Sequence, residues 1–142
     1  MKSFKKNHFL YFITSIPSLF VVCLIWMMFA PVQILEVKNN PMPLTKDILK
    51  RGESIPFVLD YCRPEGMNAY TVTPQIINGV VITLESFNSV LEPGCHKVIS
   101  NTTRIPEELT PGKYHVHFIV EYRVNALRTE VLRYETQIFT VE

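Results

Sequence analysis

A thirteen-residue segment near the C-terminus, KYHVHFIVEYRVN, alternates apolar and polar side chains almost without interruption. Val116 and Phe118 fall on one face of this pattern, whereas His115 and His117 fall on the other. Successive side chains of a β-strand point to opposite faces, so the pattern predicts a strand over Lys113–Asn125. One apolar and one polar face are typical of an antiparallel sheet that is covered on a single side.

Six further short segments have the composition of strands and are separated by turn residues at intervals typical of a β-sandwich. They are Val32–Lys38, Ile55–Arg63, Tyr70–Ile77, Val80–Phe87, Cys95–Asn101 and Glu130–Val141. The sequence therefore predicts an all-β fold, a small antiparallel sandwich of about seven strands.

The turn at Asn78-Gly79 raises a question of register. A two-residue hairpin would place the apolar side chains of its two strands on opposite faces of the sheet. We therefore expect a three-residue loop, Ile77–Gly79, with Gly79 in the left-handed conformation.

The segment Phe9–Ala30 contains no charged residue. As a helix, its twenty-two residues would extend about 33 Å, against about 30 Å of bilayer hydrocarbon. Lys2, Lys5 and Lys6 precede it, so the positive-inside rule places the N-terminus in the cytoplasm. A cleaved signal peptide is the alternative, but the proline after Ala30 disfavours cleavage there. The sequence predicts an uncleaved, single-pass transmembrane signal anchor.

These segments divide the chain into a cytoplasmic basic tail (1–8), a transmembrane anchor (9–30), a linker with the first strand (31–54) and the body of an exported β-domain (55–142). The exported part has the size of one domain. The chain has 14 Lys and Arg against 13 Asp and Glu, and three of the lysines lie in the tail. The exported domain therefore lacks the excess of basic residues that nucleic-acid binding requires. We expect the domain in the periplasm or outside the cell.

The positions of the cysteines are consistent with an exported domain. Cys23 lies inside the apolar segment, which leaves Cys62 and Cys95 as a pair in the exported domain. Disulfides form in oxidising compartments, so we predict a bond between them, with two buried free thiols as the alternative. Such a bond would stabilise the domain by about 3 to 4 kcal/mol in the chain-entropy description.

The stretch LTPGKY, Leu109–Tyr114, resembles the L-x-P-G-x-Y entry to the penultimate strand of immunoglobulin-like and fibronectin type III-like sandwiches. In those folds the tyrosine bonds back to upstream backbone. The resemblance covers about the last forty residues and departs from a true immunoglobulin domain, because Val116 replaces the cysteine and the single tryptophan, Trp26, lies in the apolar segment. A short tail, a signal anchor and one sandwich also resemble small envelope proteins of bacterial and bacteriophage genomes, which implies no activity.

The two neighbouring histidines are candidate metal ligands. His115 and His117 share one face of their strand and can supply two imidazoles to copper or zinc. Two ligands do not complete a site, and His96 or Glu121 could join them only if the fold brings them together. The alternative is the solvated side of a sheet, in which case no third ligand should converge on the pair. No cofactor is predicted.

Catalytic motifs are absent from the sequence, which has no nucleophile elbow, glycine-rich phosphate loop or HExxH, so we do not expect an enzyme. Asp60 lies within an apolar strand, where a structural ion pair, for example with Arg63, is favoured over a general base. Small sandwiches usually act by presenting surfaces. The first expectation is therefore a non-enzymatic binding or assembly module, followed by an envelope metal-binding protein and then by an enzyme.

A loop at one end of the sandwich is the expected contact surface for a protein partner. The segment Asn125–Glu130 joins the last two predicted strands; it begins at Asn125 and places Arg128 near its tip, with Arg123 just below. These three are the predicted partner-binding residues. Pairing at an open edge strand is the alternative.

Overall fold

The computed structural model describes residues 3–67, 69–89, 91–101 and 103–142, with side chains from residue 16 onward. The chain divides into two compact units. The first comprises Met1–Val32 and Val124–Arg128, and the second comprises Gln33–Arg123 and Thr129–Glu142.

The first unit contains helix α1, Ser3–Phe29, which covers nearly all of the apolar segment. None of its described side chains is buried. Within the described part of the chain, no helix is both long and apolar enough to cross a membrane, so the predicted transmembrane helix is not confirmed. The predicted basic tail, 1–8, lies outside the residues whose side chains are described.

The second unit is a sandwich with ten described strands. They are β1 (Glu36–Val37), β2 (Ile48–Leu49), β3 (Phe57–Arg63), β4 (Tyr70–Asn78), β5 (Val80–Thr83), β6 (Phe87–Ser89), β7 (Gly94–Ser100), β8 (Gly112–Arg123), β9 (Thr129–Glu135) and β10 (Phe139–Val141). One sheet has the order β1-β3-β7. The other has the order β2-β10-β8-β4-β5, with β6 also paired to β4 and β9 also paired to β8.

The core lies between the two sheets and is built from alternate side chains of β3, β4 and β8. On β8, Val116, Phe118 and Val120 are buried, while the intervening histidines are partly exposed. The rings of Phe57 and Phe118 meet with their centroids 5.0 Å apart. The predicted alternation of this strand, and with it the all-β class, is confirmed.

Four strands differ from the prediction. The predicted strand Val32–Lys38 is shortened to the two residues of β1. The predicted strand Val80–Phe87 is interrupted, since β5 ends at Thr83 and β6 begins at Phe87. The Leu84 N–H still donates to Pro74 O at 2.9 Å, but the proline has no N–H with which to return the bond, so the ladder stops there. The predicted strand Glu130–Val141 is likewise divided into β9 and β10. Strand β2 was not predicted; it is only two residues long and pairs in parallel with β10.

The turn before β5 is shorter than expected. Asn78 is paired with Val80, and Ile76 with Ile82, so only Gly79 lies between the paired strands. Gly79 has a φ of 66°, the left-handed conformation that was predicted, but the three-residue loop is wrong. All four residues of β5 are exposed, so the apolar side chains that the predicted loop would have buried face solvent.

The closing strands are compatible with an immunoglobulin-like sandwich. The Tyr114 hydroxyl donates to Thr110 O at 2.8 Å, which is the corner that the LTPGKY stretch predicts. Cys62 and Cys95 form a disulfide with their Cα atoms 4.0 Å apart, so the predicted bond is confirmed. It joins directly opposed residues on neighbouring strands of one sheet, β3 and β7, instead of linking the two sheets as in antibody domains.

An apolar cavity of about 130 Å³ lies between the sheets. Tyr134 lines it and donates its hydroxyl to Leu35 O at 2.6 Å. Burial, with smaller contributions from Tyr122 and Glu36, raises the pKa of Tyr134 to about 12. The phenol therefore stays protonated and remains a donor at neutral pH.

Candidate functional site

The outer face of the larger sheet consists of the side chains of β4, β8 and β9 that point away from the core. Strand β8 is central there, since β4 pairs with one side of it and β9 with the other. His115 and His117 project from this face and are partly exposed, as the alternation predicts. Their ring centroids are 4.8 Å apart.

A third potential ligand converges on the two histidines. Glu135 lies directly opposite His117 on β9, and its Oε2 atom is 3.1 Å from His117 Nε2. The nearest ligand atoms of His115, His117 and Glu135 all lie within 4.8 Å of one another. We call these three residues the outer-face triad. The expectation that no third ligand approaches the histidine pair is therefore wrong.

The position of Glu135 is fixed by its backbone. Its N–H donates to Asn40 Oδ1 at 2.9 Å, and its carbonyl accepts from Met42 N at 2.7 Å. The next residue, Thr136, donates its N–H to Val116 O at 2.9 Å and accepts from Val116 N with its side-chain Oγ1 at 3.0 Å. These bonds end β9 and hold the carboxylate beside the histidines.

An open depression of about 390 Å³ adjoins the triad. Its lining comprises His115, Glu135, Pro41, Thr136, Gln137 and Ile138. The depression leaves space for solvent or a small ligand next to the carboxylate and one imidazole.

The two residues expected as additional ligands lie elsewhere. His96 is on β7 in the smaller sheet, where its Nε2 atom is 2.8 Å from Pro93 O and its ring is 5.7 Å from that of Tyr61. Glu121 is on the outer face but lies opposite Val131, four residues along β8 from His117. Neither belongs to the triad.

The predicted partner-binding loop has contacts within the first unit. The Asn125 side chain donates to Met27 O at 2.8 Å, and Arg128 donates to Met28 O at 3.1 Å and to Ala30 O at 2.9 Å. The last carbonyls of a helix have no intrahelical partners and carry the negative end of its dipole, so these donors stabilise the end of α1.

Arg123 is exposed on the outer face of β8, where it is paired with Thr129. It therefore lies on the same strand as the two histidines but at the far end. The role of Arg123, Asn125 and Arg128 in binding a partner stays a prediction.

Asp60 is partly exposed and lies opposite Lys97 in the β3–β7 ladder. The buried Arg63 guanidinium donates to the backbone carbonyls of Leu91, at 2.5 Å, and Met67. Arg63, which the sequence suggests as the partner of Asp60, therefore donates to two loop carbonyls instead.

Sequence reasoning missed Glu135 because its relation to the histidines depends on the register between β8 and β9. The available signal was the alternation of side chains along β9. Val131, Arg133 and Glu135 alternate with Leu132 and Tyr134, so the first three lie on the outer face. The alternation alone does not determine which of these three residues lies opposite His117.

No protein-family model matches the chain, and no curated protein is significantly similar to it. The fold assignment therefore rests on the strand order and registers, and the functional arguments rest on the side chains described above.

Replacing Thr136 with valine should destabilise the protein by about 1 to 3 kcal/mol, because the buried Val116 N–H would lose its acceptor. The exposed Thr129, at the start of β9, provides the matched control, and Thr129→Val should change the free energy of unfolding by no more than about 0.5 kcal/mol. Urea unfolding of the full-length chain measures both. Equal stability of the two variants would contradict the role given to the Thr136 hydroxyl.

Proposed function

We propose that this chain is a non-enzymatic binding or assembly module that engages a protein partner at the edge of its larger sheet. The observation that carries the proposal is the exposure of β5, which ends the order of that sheet among the described strands. Val80 is 69% exposed, Val81 55% and Ile82 37%. An edge strand with three exposed apolar side chains offers both backbone groups and apolar surface to an extended segment of another chain.

The lack of protection on β5 distinguishes it from the edge of the smaller sheet at β7. Natural edge strands are commonly blunted by lysine, proline or a bulge, yet Val80–Thr83 contains no charge and no proline. Strand β7, at the edge of the smaller sheet, carries Lys97. The short length of β5 limits unwanted pairing while leaving a site for a matched partner strand.

Strand addition gives affinity through backbone hydrogen bonds and specificity through alternate side chains. Here Val80 and Ile82 point to one face and Val81 to the other, so a partner strand would meet apolar side chains on both faces. We therefore favour an apolar, extended segment of a protein as the partner, and we assign no catalytic role to the chain.

A photoreactive amino acid introduced at Val81 should yield a specific cross-linked product in the host cell, because this side chain would lie in the interface. The additional change Val80→Lys should abolish that product, since a charge at an open edge opposes strand addition. The same photoreactive residue at Glu107, in an exposed turn, is the matched control. Cross-linking from position 81 that does not exceed that from position 107 would count against the β5 interface.

We further propose that the chain is held at a membrane by Phe9–Ala30, with the N-terminus in the cytoplasm and the sandwich on the opposite side, although the described residues contain no helix that is long and apolar enough for a span. The absence of charge from this segment and the lysines before it support the proposal. The described side chains of α1 supply a second argument, because Leu19, Trp26 and Phe29 are among its many exposed apolar residues. A helix that is apolar on every side requires burial in protein or lipid.

Fusion of alkaline phosphatase after Glu142 should give an active enzyme in a bacterial host, because phosphatase folds only outside the cytoplasm. A fusion after His8, which lacks the apolar segment, should be inactive and serves as the control. The full-length protein should also stay with the membrane fraction after alkaline extraction. An inactive full-length fusion, or a soluble exported product that begins near Pro31, would overturn the anchor.

A further inference from the structure

We infer that the outer-face triad, His115, His117 and Glu135, is a binding site for a divalent transition-metal ion of the zinc and copper type. The site is separate from the β5 edge and does not depend on the proposed function. It adds to the histidine pair a carboxylate from the neighbouring strand.

The distances in the triad are close to those of a metal centre. Zinc–nitrogen bonds are about 2.0 to 2.1 Å and zinc–carboxylate bonds about 2.0 to 2.2 Å, so ligand atoms around a tetrahedral ion lie about 3.3 Å apart. His117 Nε2 and Glu135 Oε2 already have this spacing, at 3.1 Å. Since no pair exceeds 4.8 Å, the His115 ring has to move by at most about 1.5 Å, which rotation of a partly exposed side chain provides.

The chemistry of the three donors selects the class of ion. Imidazole nitrogen suits zinc, copper, nickel and iron(II), whereas magnesium and calcium prefer sites made entirely of oxygen. A carboxylate adds one negative charge, which offsets part of the charge of the ion. The donor set therefore favours zinc or copper over magnesium or calcium.

Three protein ligands leave at least one coordination position open. Sites with this number of protein ligands take water or another small molecule as the remaining ligand. The depression of about 390 Å³ beside His115 and Glu135 is where such a ligand would lie. It gives the bound ion contact with solvent.

The backbone around the triad is fixed before any ion binds. Both histidines are on β8, which is paired on both of its sides, and the Glu135 N–H and carbonyl are bonded to Asn40 and Met42. Rigid elements that position ligands reduce the ordering that binding requires. A cross-strand hydrogen bond alone would account for His117 and Glu135, so the third donor, His115, is what distinguishes a metal site from a surface pair.

Calorimetric titration with Zn²⁺ and with Cu²⁺ tests the site in full-length, untagged protein carrying Cys23→Ser, which removes the free thiol. We expect one ion per chain, with a Kd of about 1 μM or lower for at least one of the two metals. His117→Gln and Glu135→Gln should each weaken binding at least about tenfold, because each removes a direct ligand. Excess Mg²⁺ should not compete.

Matched controls come from residues of the same types outside the triad. His96→Gln removes a histidine from the other sheet, and Glu121→Gln removes a carboxylate from the same face, so both should bind like the parent protein. Binding weaker than about 1 μM for both metals would overturn the site. Binding that survives Glu135→Gln, or that is lost equally in His96→Gln, would overturn it as well.

A second readout separates ligand loss from misfolding. Saturating metal should raise the midpoint of thermal unfolding of the parent and of Glu121→Gln, since an ion that binds the folded state stabilises it. The same metal should leave the midpoint of Glu135→Gln unchanged, while the midpoints without metal stay similar. A metal-induced shift of equal size in Glu135→Gln would contradict a role for this carboxylate.

Discussion

Strand β8 imposes the main constraint on this fold. It is the longest strand described, and its strict alternation requires one face to be buried and the other to face solvent. The inward side chains, Val116, Phe118 and Val120, form the centre of the core against β3 and β4. A shift of one residue would exchange these side chains with the histidines, so the same physical requirement that builds the core also determines the composition of the outer face.

Both proposed sites are consequences of how the larger sheet is completed around β8. On one side, β4 is followed by β5, whose apolar side chains no described element covers, and this leaves an open edge. On the other side, β9 ends at Glu135, and the hydroxyl of the next residue, Thr136, replaces a backbone group in the ladder and so holds Glu135 beside the histidines. The disulfide between Cys62 and Cys95 adds a covalent link within the smaller sheet, which contains neither site.

Local patterns in the sequence predicted the features that depend on few residues. The alternation of β8, the corner at Tyr114 and the left-handed Gly79 are each specified by neighbouring side chains. The disulfide was predictable because Cys62 and Cys95 are the only cysteines outside the apolar segment. Features that depend on distant pairing were not: β2 is defined only by its partner β10, and the Glu135–His117 pairing is defined by the hairpin between β8 and β9.

The register of β8 against β9 carries the central claim, because it alone brings Glu135 to His117. Cysteines replacing Ile119 and Arg133 test it directly, since this opposed pair lies on the outer face next to the triad. The natural disulfide shows that an opposed cross-strand pair can bond in this fold. Mass spectrometry of the oxidised protein should find a second disulfide in Ile119→Cys/Arg133→Cys and none in Ile119→Cys/Glu135→Cys; the reverse result would contradict the register and the triad with it.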